Sequence, residues 1–381
     1  MQEEFNKFIS NEFSVVKDDE YEPIPTGIKS IDLLLGGGIG KGFIVQITGD
    51  PSAFKSTLAT NIAGNIKRNY EKSIVVYLDA ERSMTIKRLQ DLGLHGVNPI
   101  VGLTLEKVFK IIEATAVFKK QNKIDDPAVI IWDSLAMTPC EAELTAEDPH
   151  KVLGLKSRML SWKMPGLKDI VSDAGITLII INQTREKINM DYGFVTPDLK
   201  HMGTKVDIPG GKILKFCTDQ MLYLRQSTSY EPEVSPYGFR AAIVTAKTIK
   251  NKLFPDGYSY QYVVNVASGY DDLYTWFDLM KKHKKVKAGA WNALVGYEKR
   301  FRTKELHEVY NEDSAFREAF DNAVSELYKE LQAKMASYEA TNEKTQEQNH
   351  YDVLANEPQK EEVAEEQPSE QSFESTSKSE Q

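Results

Sequence analysis

Four short apolar segments between residues 43 and 181 constrain the fold of this chain more than any other feature. The segments FIVQIT, SIVVYLD, AVIIWDS and TLIIINQ are rich in β-branched residues, and longer stretches with helical spacing separate them. Such alternation is typical of βαβ units, in which helices cover both faces of a parallel sheet. Three later segments, QMLYLRQ, FRAAIVTAKTI and YSYQYVVNVA, predict antiparallel strands that extend the sheet. We expect an α/β fold with a mostly parallel, twisted sheet flanked by helices.

The composition excludes several classes of protein. Of the 381 residues, 41% are hydrophobic and 27% are charged, which is typical of a soluble globular protein. We find neither a run of about 18 apolar residues nor a basic, apolar leader, and therefore expect a cytoplasmic protein without a membrane partner. The chain has two cysteines and six scattered histidines. This pattern predicts neither a disulfide framework nor a zinc cluster, so any metal must arrive with a ligand.

The negative charge is concentrated at the C-terminal end. Residues 341–381 contain eleven acidic and three basic residues, a net charge of −8 out of −9 for the whole chain. The segment is rich in Glu, Gln and Ser and poor in apolar residues, which predicts a disordered acidic tail. Such a tail is a passive solubility element, an electrostatic competitor for basic surfaces, or a docking arm for a basic partner.

The rest of the chain divides into three predicted regions. Residues 1–24 are a small N-terminal assembly segment, because an apolar stripe lies on an arm that the extended sequence YEPIPTG sets apart. Residues 25–270 contain the α/β core, and residues 271–340 form a mainly helical region. The apolar stripe of the first region consists of Phe5, Phe8 and Phe13. An amphipathic helix in the third is predicted from Phe316, Phe320, Val324, Leu327 and Leu331.

The first apolar segment leads into a loop that resembles a phosphate-binding loop. In FIVQITGDPSAFKST a strand is followed by a turn and by a helix that begins near Lys55. Helix N-terminal N–H groups attract phosphate oxygens, a lysine reaches the terminal phosphates, and a hydroxyl binds magnesium. Gly49, Lys55 and Ser56 occupy these positions, but Phe54 replaces the second glycine of the motif, so its side chain must point away from a nucleotide. The alternative is an ordinary strand-to-helix turn.

Acidic residues follow two further strands at the same predicted edge of the sheet. Asp79 and Glu81 follow SIVVYL, and Asp133 ends AVIIWD. Open α/β sheets bind ligands at this carboxyl edge. We predict that Asp133 binds magnesium through water, opposite Ser56, and that Glu81 orients and partly deprotonates a water for attack on a γ-phosphate. The alternatives are a turn cap for Asp133 and a solvated acid for Glu81.

Seven segments, in order over roughly residues 25 to 300, resemble the RecA-type recombinases. They are TGIKSIDLLLGGGIGKGFIVQITGDPSAFKST, YLDAERSM, AVIIWDSLAMTP, LIIINQTREKI, GGKILKF, KTIKNKLFP and KAGAW. The phenylalanine in the phosphate loop and the acidic tail resemble the bacteriophage members of the family most. The resemblance implies a RecA-like P-loop ATPase core that binds ATP and Mg²⁺. The implied ATP-binding residues are Gly49, Asp50, Pro51, Ser52, Ala53, Phe54, Lys55, Ser56 and Thr57, and the implied magnesium residues are Ser56 and Asp133.

The resemblance also implies catalytic roles. Glu81 would be the catalytic glutamate, acting with Lys55. Gln183 would sense the γ-phosphate and relay its presence to the loop that follows. Lys250 and Lys252 would reach the ATP of a neighbouring subunit and stabilise charge as an arginine finger does. From composition alone, these two lysines are a solvated strand end.

Two segments, 141–151 and 184–211, match the DNA-binding loops of the family in position. The second is long for a connection inside a compact domain, which indicates a functional or a mobile loop. Its aromatic and apolar residues, such as Met202, would stack on bases while lysines and backbone amides contact phosphates. An ordinary flexible surface loop is the alternative. The implied DNA-binding residues are Arg185, Lys187, Tyr192, Phe194, Lys200, Lys205, Gly210 and Gly211.

The function implied by the resemblance is that of an ATP-dependent recombinase. Such a protein forms a helical filament on single-stranded DNA, pairs it with homologous duplex DNA and exchanges strands in recombination, repair and recombination-dependent replication. Its implied partners are both forms of DNA, copies of itself, a single-strand-binding protein and a recombination mediator. A phage-encoded protein would act in the host-cell cytoplasm.

Two alternatives stay open. A non-catalytic RecA-like mediator would bind DNA or a partner recombinase without turnover, since Phe54 would spoil the phosphate cradle. A hexameric RecA-fold helicase would use the same core for translocation. The first is opposed by the retained residues Lys55, Ser56, Glu81, Asp133 and Gln183. The KNK segment and the lack of a separate partner domain argue against the second.

Overall fold

The computed structural model describes residue 1 and residues 22–186, 206–207 and 211–355. The chain divides into two units, Met1–Ala336 and Ser337–Gln381. Most of the predicted assembly segment, including Phe5, Phe8 and Phe13, lies outside the described residues.

In the described residues, the strands form one large sheet and three small ones. Their bounds are β1 Pro23–Ile24, β2 Ile39–Gly40, β3 Ile44–Gly49, β4 Ile74–Asp79, β5 Ala128–Asp133, β6 Ile176–Ile181, β7 Arg185–Glu186, β8 Val206–Asp207, β9 Gln220–Tyr230, β10 Ala241–Asn251, β11 Ser259–Asn265, β12 Gly269–Asp271, β13 Val286–Lys287, β14 Asn292–Leu294 and β15 Arg300–Phe301. The large sheet has the order β12-β11-β10-β9-β3-β6-β5-β4. Strands β9, β3, β6, β5 and β4 are parallel, and β10, β11 and β12 continue antiparallel. The predicted mostly parallel sheet with an antiparallel extension is confirmed.

Helices cover both faces of this sheet. Their bounds are α1 Lys29–Leu35, α2 Lys55–Asn69, α3 Ile86–Asp91, α4 Leu105–Gln121, α5 Glu141–Thr145, α6 Pro149–Val152, α7 Leu155–Asp173, α8 Gly211–Cys217, α9 Asp272–Lys282, α10 Leu306–Glu312 and α11 Ser314–Ala355, with a 3₁₀ turn at Thr303–Glu305. Side chains alternate across a strand, so Val129 and Ile131 of β5 pack with α2, whereas Ile130 and Trp132 pack with α4 and α7. The strands therefore read as continuous apolar runs because both faces are buried.

The region after β12 forms an apolar cluster of its own, in addition to the two that lie on the faces of the large sheet. Helices α9 and α11 pack around Trp276, Phe277 and Phe301, and the cluster includes Val263 of β11. The predicted amphipathic helix is confirmed: Asp313 accepts backbone N–H groups of Ala315 and Phe316 at 3.0 and 3.2 Å, and all five predicted apolar positions are buried. The small antiparallel sheet β13-β14-β15 was not predicted, since strands of two or three residues leave no periodic signal.

Residues 341–355, the first part of the predicted disordered tail, continue α11 to Ala355. The apolar spacing ends near Met335, but no glycine or proline occurs between residues 314 and 357. Glu, Gln, Lys and Ala favour helix through their intrinsic propensity. Residues 356–381 lie outside the described part of the chain. Among the described residues, no helix is both long and apolar enough to cross a bilayer.

A buried carboxyl joins the start of the core to α1. Asp32 Oδ1 accepts the backbone N–H of Thr26 at 2.8 Å and its hydroxyl at 2.6 Å. Burial raises the pKa of Asp32 to about 7, against the two hydrogen bonds from Thr26. The fold therefore favours the protonated form, and ionising this carboxyl costs stability.

Replacing Asp32 by asparagine should stabilise the protein above pH 7. An acid whose folded pKa is raised loses stability as pH rises from about 4, where the unfolded carboxyl ionises, to about 7. We expect Asp32→Asn to raise the free energy of unfolding by roughly 1–3 kcal/mol at pH 8, with a smaller gain at pH 5. Urea denaturation at both pH values tests this, with the exposed Asp91→Asn as control. A variant less stable than wild type at pH 8 contradicts it.

Candidate active site

The predicted phosphate loop follows the central strand β3. At Gly49 the chain has φ of +147°, and a Cβ added there would lie 2.0 Å from the carbonyl oxygen of Leu224 on β9. The next residue, Asp50, donates its backbone N–H to the same oxygen at 3.2 Å. Only glycine fits this close approach, so β9 fixes the position where the loop leaves the sheet.

Phe54 takes the conformation that the missing glycine would have. Its φ and ψ are 58° and 30°, in the left-handed region, and its side chain makes no cap on the first turn of α2. The half-buried ring packs against the apolar layer between the sheet and α2. The loop therefore keeps a glycine-like backbone and leaves the N-terminal amides of α2 without a side-chain cap.

Lys55 folds back over the loop. Its Nζ donates to the carbonyl oxygens of Gly49 at 3.1 Å and Asp50 at 2.6 Å, and the residue is 7% exposed. Burial lowers the pKa of Lys55, and the carboxylates of Asp133, Glu81 and Asp50 oppose that shift. Its ammonium group thus lies within the field of three acids, at the start of α2.

Asp133 is buried at the end of β5, with 1% exposure. Its Oδ2 accepts the hydroxyl of Tyr77 at 2.7 Å, and the hydroxyl of Ser56 also hydrogen-bonds to it. Burial raises the pKa of Asp133 to about 6, and these two hydrogen bonds lower it. The predicted pair of Ser56 and Asp133 is brought together across α2 and β5. Tyr77 was not predicted, although a lone polar ring in an apolar strand is the signal for it.

Glu81 lies next to the end of β5 and β6. Its Oε1 accepts the Oγ hydroxyl of Ser134 at 2.5 Å and the Nε2 amide of Gln183 at 3.0 Å. The side-chain positions of Glu81 and Gln183 are therefore coupled, although 102 residues separate them. Ser134, which follows Asp133 directly, was not singled out from the sequence.

Two other acids at this edge are structural. Asp79 is fully buried and accepts the backbone N–H groups of Ser83 at 3.2 Å and Met84 at 2.9 Å. Asp50 accepts the hydroxyl of Tyr223 on β9 at 2.6 Å. Asp79 shapes the segment that presents Glu81, and Asp50 anchors the phosphate loop to β9.

Lys250 and Lys252 lie at the end of the strands opposite to the phosphate loop. Asn251 pairs with Gln220 at the start of β9, whereas Gly49 pairs with Leu224. Gln220 and Leu224 are four residues apart on β9, which corresponds to about 13 Å along the strand. The two lysines therefore do not join the phosphate loop of their own chain.

Little of the predicted DNA-binding surface can be described. Residues 141–151 form α5 and part of α6. The second loop begins and ends in a two-stranded ribbon in which Arg185 pairs with Asp207, and Gly211 begins α8 with φ of +70°. The predicted residues outside the described part of the chain are Lys187, Tyr192, Phe194, Lys200, Lys205 and Gly210, together with Met202.

The described residues contain no group of three or more His, Cys, Asp or Glu side chains placed to bind a metal ion. The hydroxyl of Ser56 and the carboxylate of Asp133 nevertheless meet at the first turn of α2. Magnesium keeps several waters and is bound through one or two carboxylates plus substrate phosphates. This donor set fits a magnesium ion that arrives with a nucleotide.

The family model described as the RecA N-terminal domain matches residues 4–265. This chain belongs to the RecA family. The match includes the phosphate loop, Glu81, Asp133, Gln183, Lys250 and Lys252, and it ends with the last residue of β11.

Individual RecA proteins are similar over most of the chain. Protein RecA of Campylobacter lari is 32% identical over 243 residues, which cover 62% of this chain and 64% of that protein. Protein RecA of Prochlorococcus marinus (strain MIT 9515) is 28% identical over 282 residues, 72% of this chain and 70% of that protein. Protein RecA of Bifidobacterium longum is 27% identical over 309 residues, which cover 81% of this chain and 73% of that protein. The chain thus spans slightly under two thirds of the Campylobacter protein.

The conformation of Phe54 can be tested with two variants. A non-glycine residue in the left-handed region costs roughly 1–2 kcal/mol. Both Phe54→Gly and Phe54→Ala remove the packing of the ring, but only glycine removes the backbone strain. We expect Phe54→Ala to be less stable than Phe54→Gly by about 1 kcal/mol in urea denaturation. Equal stabilities, or a more stable alanine variant, would show that the loop does not need this conformation.

Proposed function

We propose that this chain is an ATP-dependent DNA recombinase that forms a filament on single-stranded DNA and catalyses homologous pairing and strand exchange. One observation carries the proposal: in a RecA-family chain, Lys55, Glu81, Asp133 and Gln183 converge at the carboxyl edge of the sheet. The activity would serve recombination, repair and recombination-dependent replication.

The geometry supports a division of labour in ATP hydrolysis. The amides of Gly49–Thr57 and the ammonium of Lys55 would bind the phosphates. Ser56 and Asp133 would hold Mg²⁺, which would neutralise charge on the phosphate oxygens. Glu81 lies beside but outside that pair, so its carboxylate, held by Ser134 and Gln183, would orient a water and take its proton.

Gln183 supports a link between hydrolysis and DNA binding. Its amide contacts Glu81 at 3.0 Å, and two residues later Arg185 begins the ribbon at the base of the long loop. A change in the contacts of Glu81 would move Gln183 and therefore the base of the loop. The proposed DNA contacts are Arg185, Lys187, Tyr192, Phe194, Lys200, Lys205, Gly210 and Gly211.

The positions of Lys250 and Lys252 support a role between subunits. They lie at the edge of the sheet opposite the phosphate loop, so a subunit can offer its ATP at one edge and its lysines at the other. A head-to-tail contact of this kind generates a helical filament when it does not close into a ring. In that assembly the lysines would contact the ATP of the neighbouring subunit.

Within the family, we propose that the protein corresponds most closely to UvsX, the recombinase of T-even bacteriophages. Phe54 in the phosphate loop and the acidic C-terminal segment support this assignment. The protein would then act in the host-cell cytoplasm with a single-strand-binding protein and a recombination mediator.

Strand invasion tests the proposed function against its rivals. We expect ATP-dependent joint molecules with a homologous duplex and none with a heterologous duplex. A mediator would bind DNA without ATP turnover, and a helicase would separate strands irrespective of homology. Either result would overturn the proposal.

Glu81→Gln should separate ATP binding from hydrolysis. Glutamine retains an oxygen that accepts from Ser134 and Gln183 but cannot take a proton, so hydrolysis should fall by roughly 10²-fold or more. A fluorescent ATP analogue should still bind, whereas Lys55→Ala should lose that binding. Wild-type hydrolysis by Glu81→Gln would remove this residue from the catalytic role.

Mixing two inactive variants should restore turnover if Lys250 and Lys252 act on a neighbouring subunit. Lys55→Ala lacks nucleotide binding but retains Lys250 and Lys252. The double variant Lys250→Ala/Lys252→Ala binds nucleotide but lacks both of these lysines. In an equimolar mixture about one quarter of the subunit contacts join two intact halves. We expect DNA-stimulated ATPase activity near that fraction of wild type. No recovery, with both variants shown to be folded and to assemble together, contradicts the role.

A further inference from the structure

Lys250 caps the C-terminal end of α8. Its Nζ donates to the carbonyl oxygens of Lys215 at 3.1 Å, Phe216 at 3.4 Å and Thr218 at 2.5 Å. Carbonyls at a helix C-terminus lack intrahelical donors, and a cation there is favourable. A lysine ammonium has three N–H donors and no more. In this arrangement all three donate to these carbonyls.

The short α8 depends on contacts of this kind. Its seven residues make two turns, and isolated helices of this length are unstable. Within α8 itself, Leu214 and Cys217 are the buried side chains. Lys168 of α7 adds one more bond, to the carbonyl oxygen of Cys217 at 3.1 Å. A lost cap should therefore shift α8 towards open or displaced conformations.

The site around Lys250 is crowded with positive charge. Lys252 Nζ lies 2.7 Å from Oδ1 of Asp219, and Lys168 binds the same oxygen. Burial first, and then the charge of Lys252, lowers the pKa of Lys250. A single carboxylate serves this cluster in the described structure, so an added anionic phosphate would be favoured here.

We propose that Lys250 is a switch between two exclusive partners, the C-terminal carbonyls of α8 in the free subunit and the nucleotide of a neighbouring subunit in the filament. This rests on the proposed function, in which Lys250 reaches that nucleotide. Because its three donors are engaged, binding a phosphate requires it to release α8. Since α8 begins at Gly211, where the proposed DNA-binding loop ends, release of its far end couples the nucleotide of one subunit to the DNA loop of the next. Linkage makes this coupling reciprocal.

Replacing Lys250 by methionine should mimic the released state. We expect amide exchange across residues 212–218 of the free protein to speed up in Lys250→Met, as measured by mass spectrometry. Nucleotide-free affinity for a labelled oligo(dT) should rise by roughly three- to tenfold, the factor that corresponds to a helix-terminal charge contact. The matched control is Lys247→Met, which removes the same charge from the same strand without touching α8.

The expected direction opposes simple electrostatics. Losing a lysine weakens attraction to DNA phosphates, so without the switch both variants should bind oligo(dT) equally or less tightly than wild type. The inference is overturned if exchange in Lys250→Met matches Lys247→Met, or if exchange rises but nucleotide-free affinity does not. If wild type shows no increase in oligo(dT) affinity with a non-hydrolysable ATP analogue and Mg²⁺, the proposed function itself fails. The exchange result then still reports on the cap.

Discussion

Hydrogen bonds to the buried carboxylate and to the backbone oxygen of Asp133 join α2 and the end of β4 to β5. Ser56 brings the start of α2, Tyr77 brings β4, and the backbone oxygen of Asp133 accepts the N–H of Ala80 at 2.6 Å. A buried carboxylate is costly unless it is paired or hydrogen-bonded. These bonds hold the start of α2 and the segment that leads to Glu81 against the end of β5. The pKa of Asp133 stays raised, because the two hydrogen bonds offset only part of the cost of burying its carboxylate.

The direction of the strands separates the two charged ends of the molecule. Parallel strands place Gly49, Asp133 and Gln183 at one edge, and the reversal at β10 returns Lys250 and Lys252 to the other. A single chain therefore cannot bring its own lysines to its own phosphate loop without breaking the sheet. An antiparallel extension of a parallel sheet thus makes the site incomplete within one subunit, which is a topological reason for assembly under the proposed function.

Local sequence was sufficient to predict those parts of the structure that depend on a single strand or motif. The runs ending at Gly49 and Asp133 are buried on both faces, and the run ending at Asp79 is buried over its last three residues. Their composition therefore predicts parallel strands, and the acids after them fall at the carboxyl edge of the sheet. It was insufficient where distant residues meet. The hydrogen bond from Tyr223 to Asp50 and those from Lys250 to α8 join residues more than 30 positions apart. They depend on strand register, which no local pattern encodes. Beyond residue 340 two local signals compete, because low hydrophobicity argues for disorder while intrinsic propensity favours the helix that α11 continues.

Phe54 shows what the phosphate-loop motif requires. A glycine at that position provides a left-handed backbone without cost, and here phenylalanine adopts the same dihedral angles and recovers part of the cost by packing its ring against the core. The requirement is therefore the path of the backbone, and the residue type is one way to meet it. The site also buries Lys55 and Asp133, each at a cost to stability. A binding module without turnover would gain stability by losing these three features. Their retention, with Phe54 and Lys55 after β3 and Asp133 at the end of β5, is expected under the proposed function, in which all three belong to the ATP site.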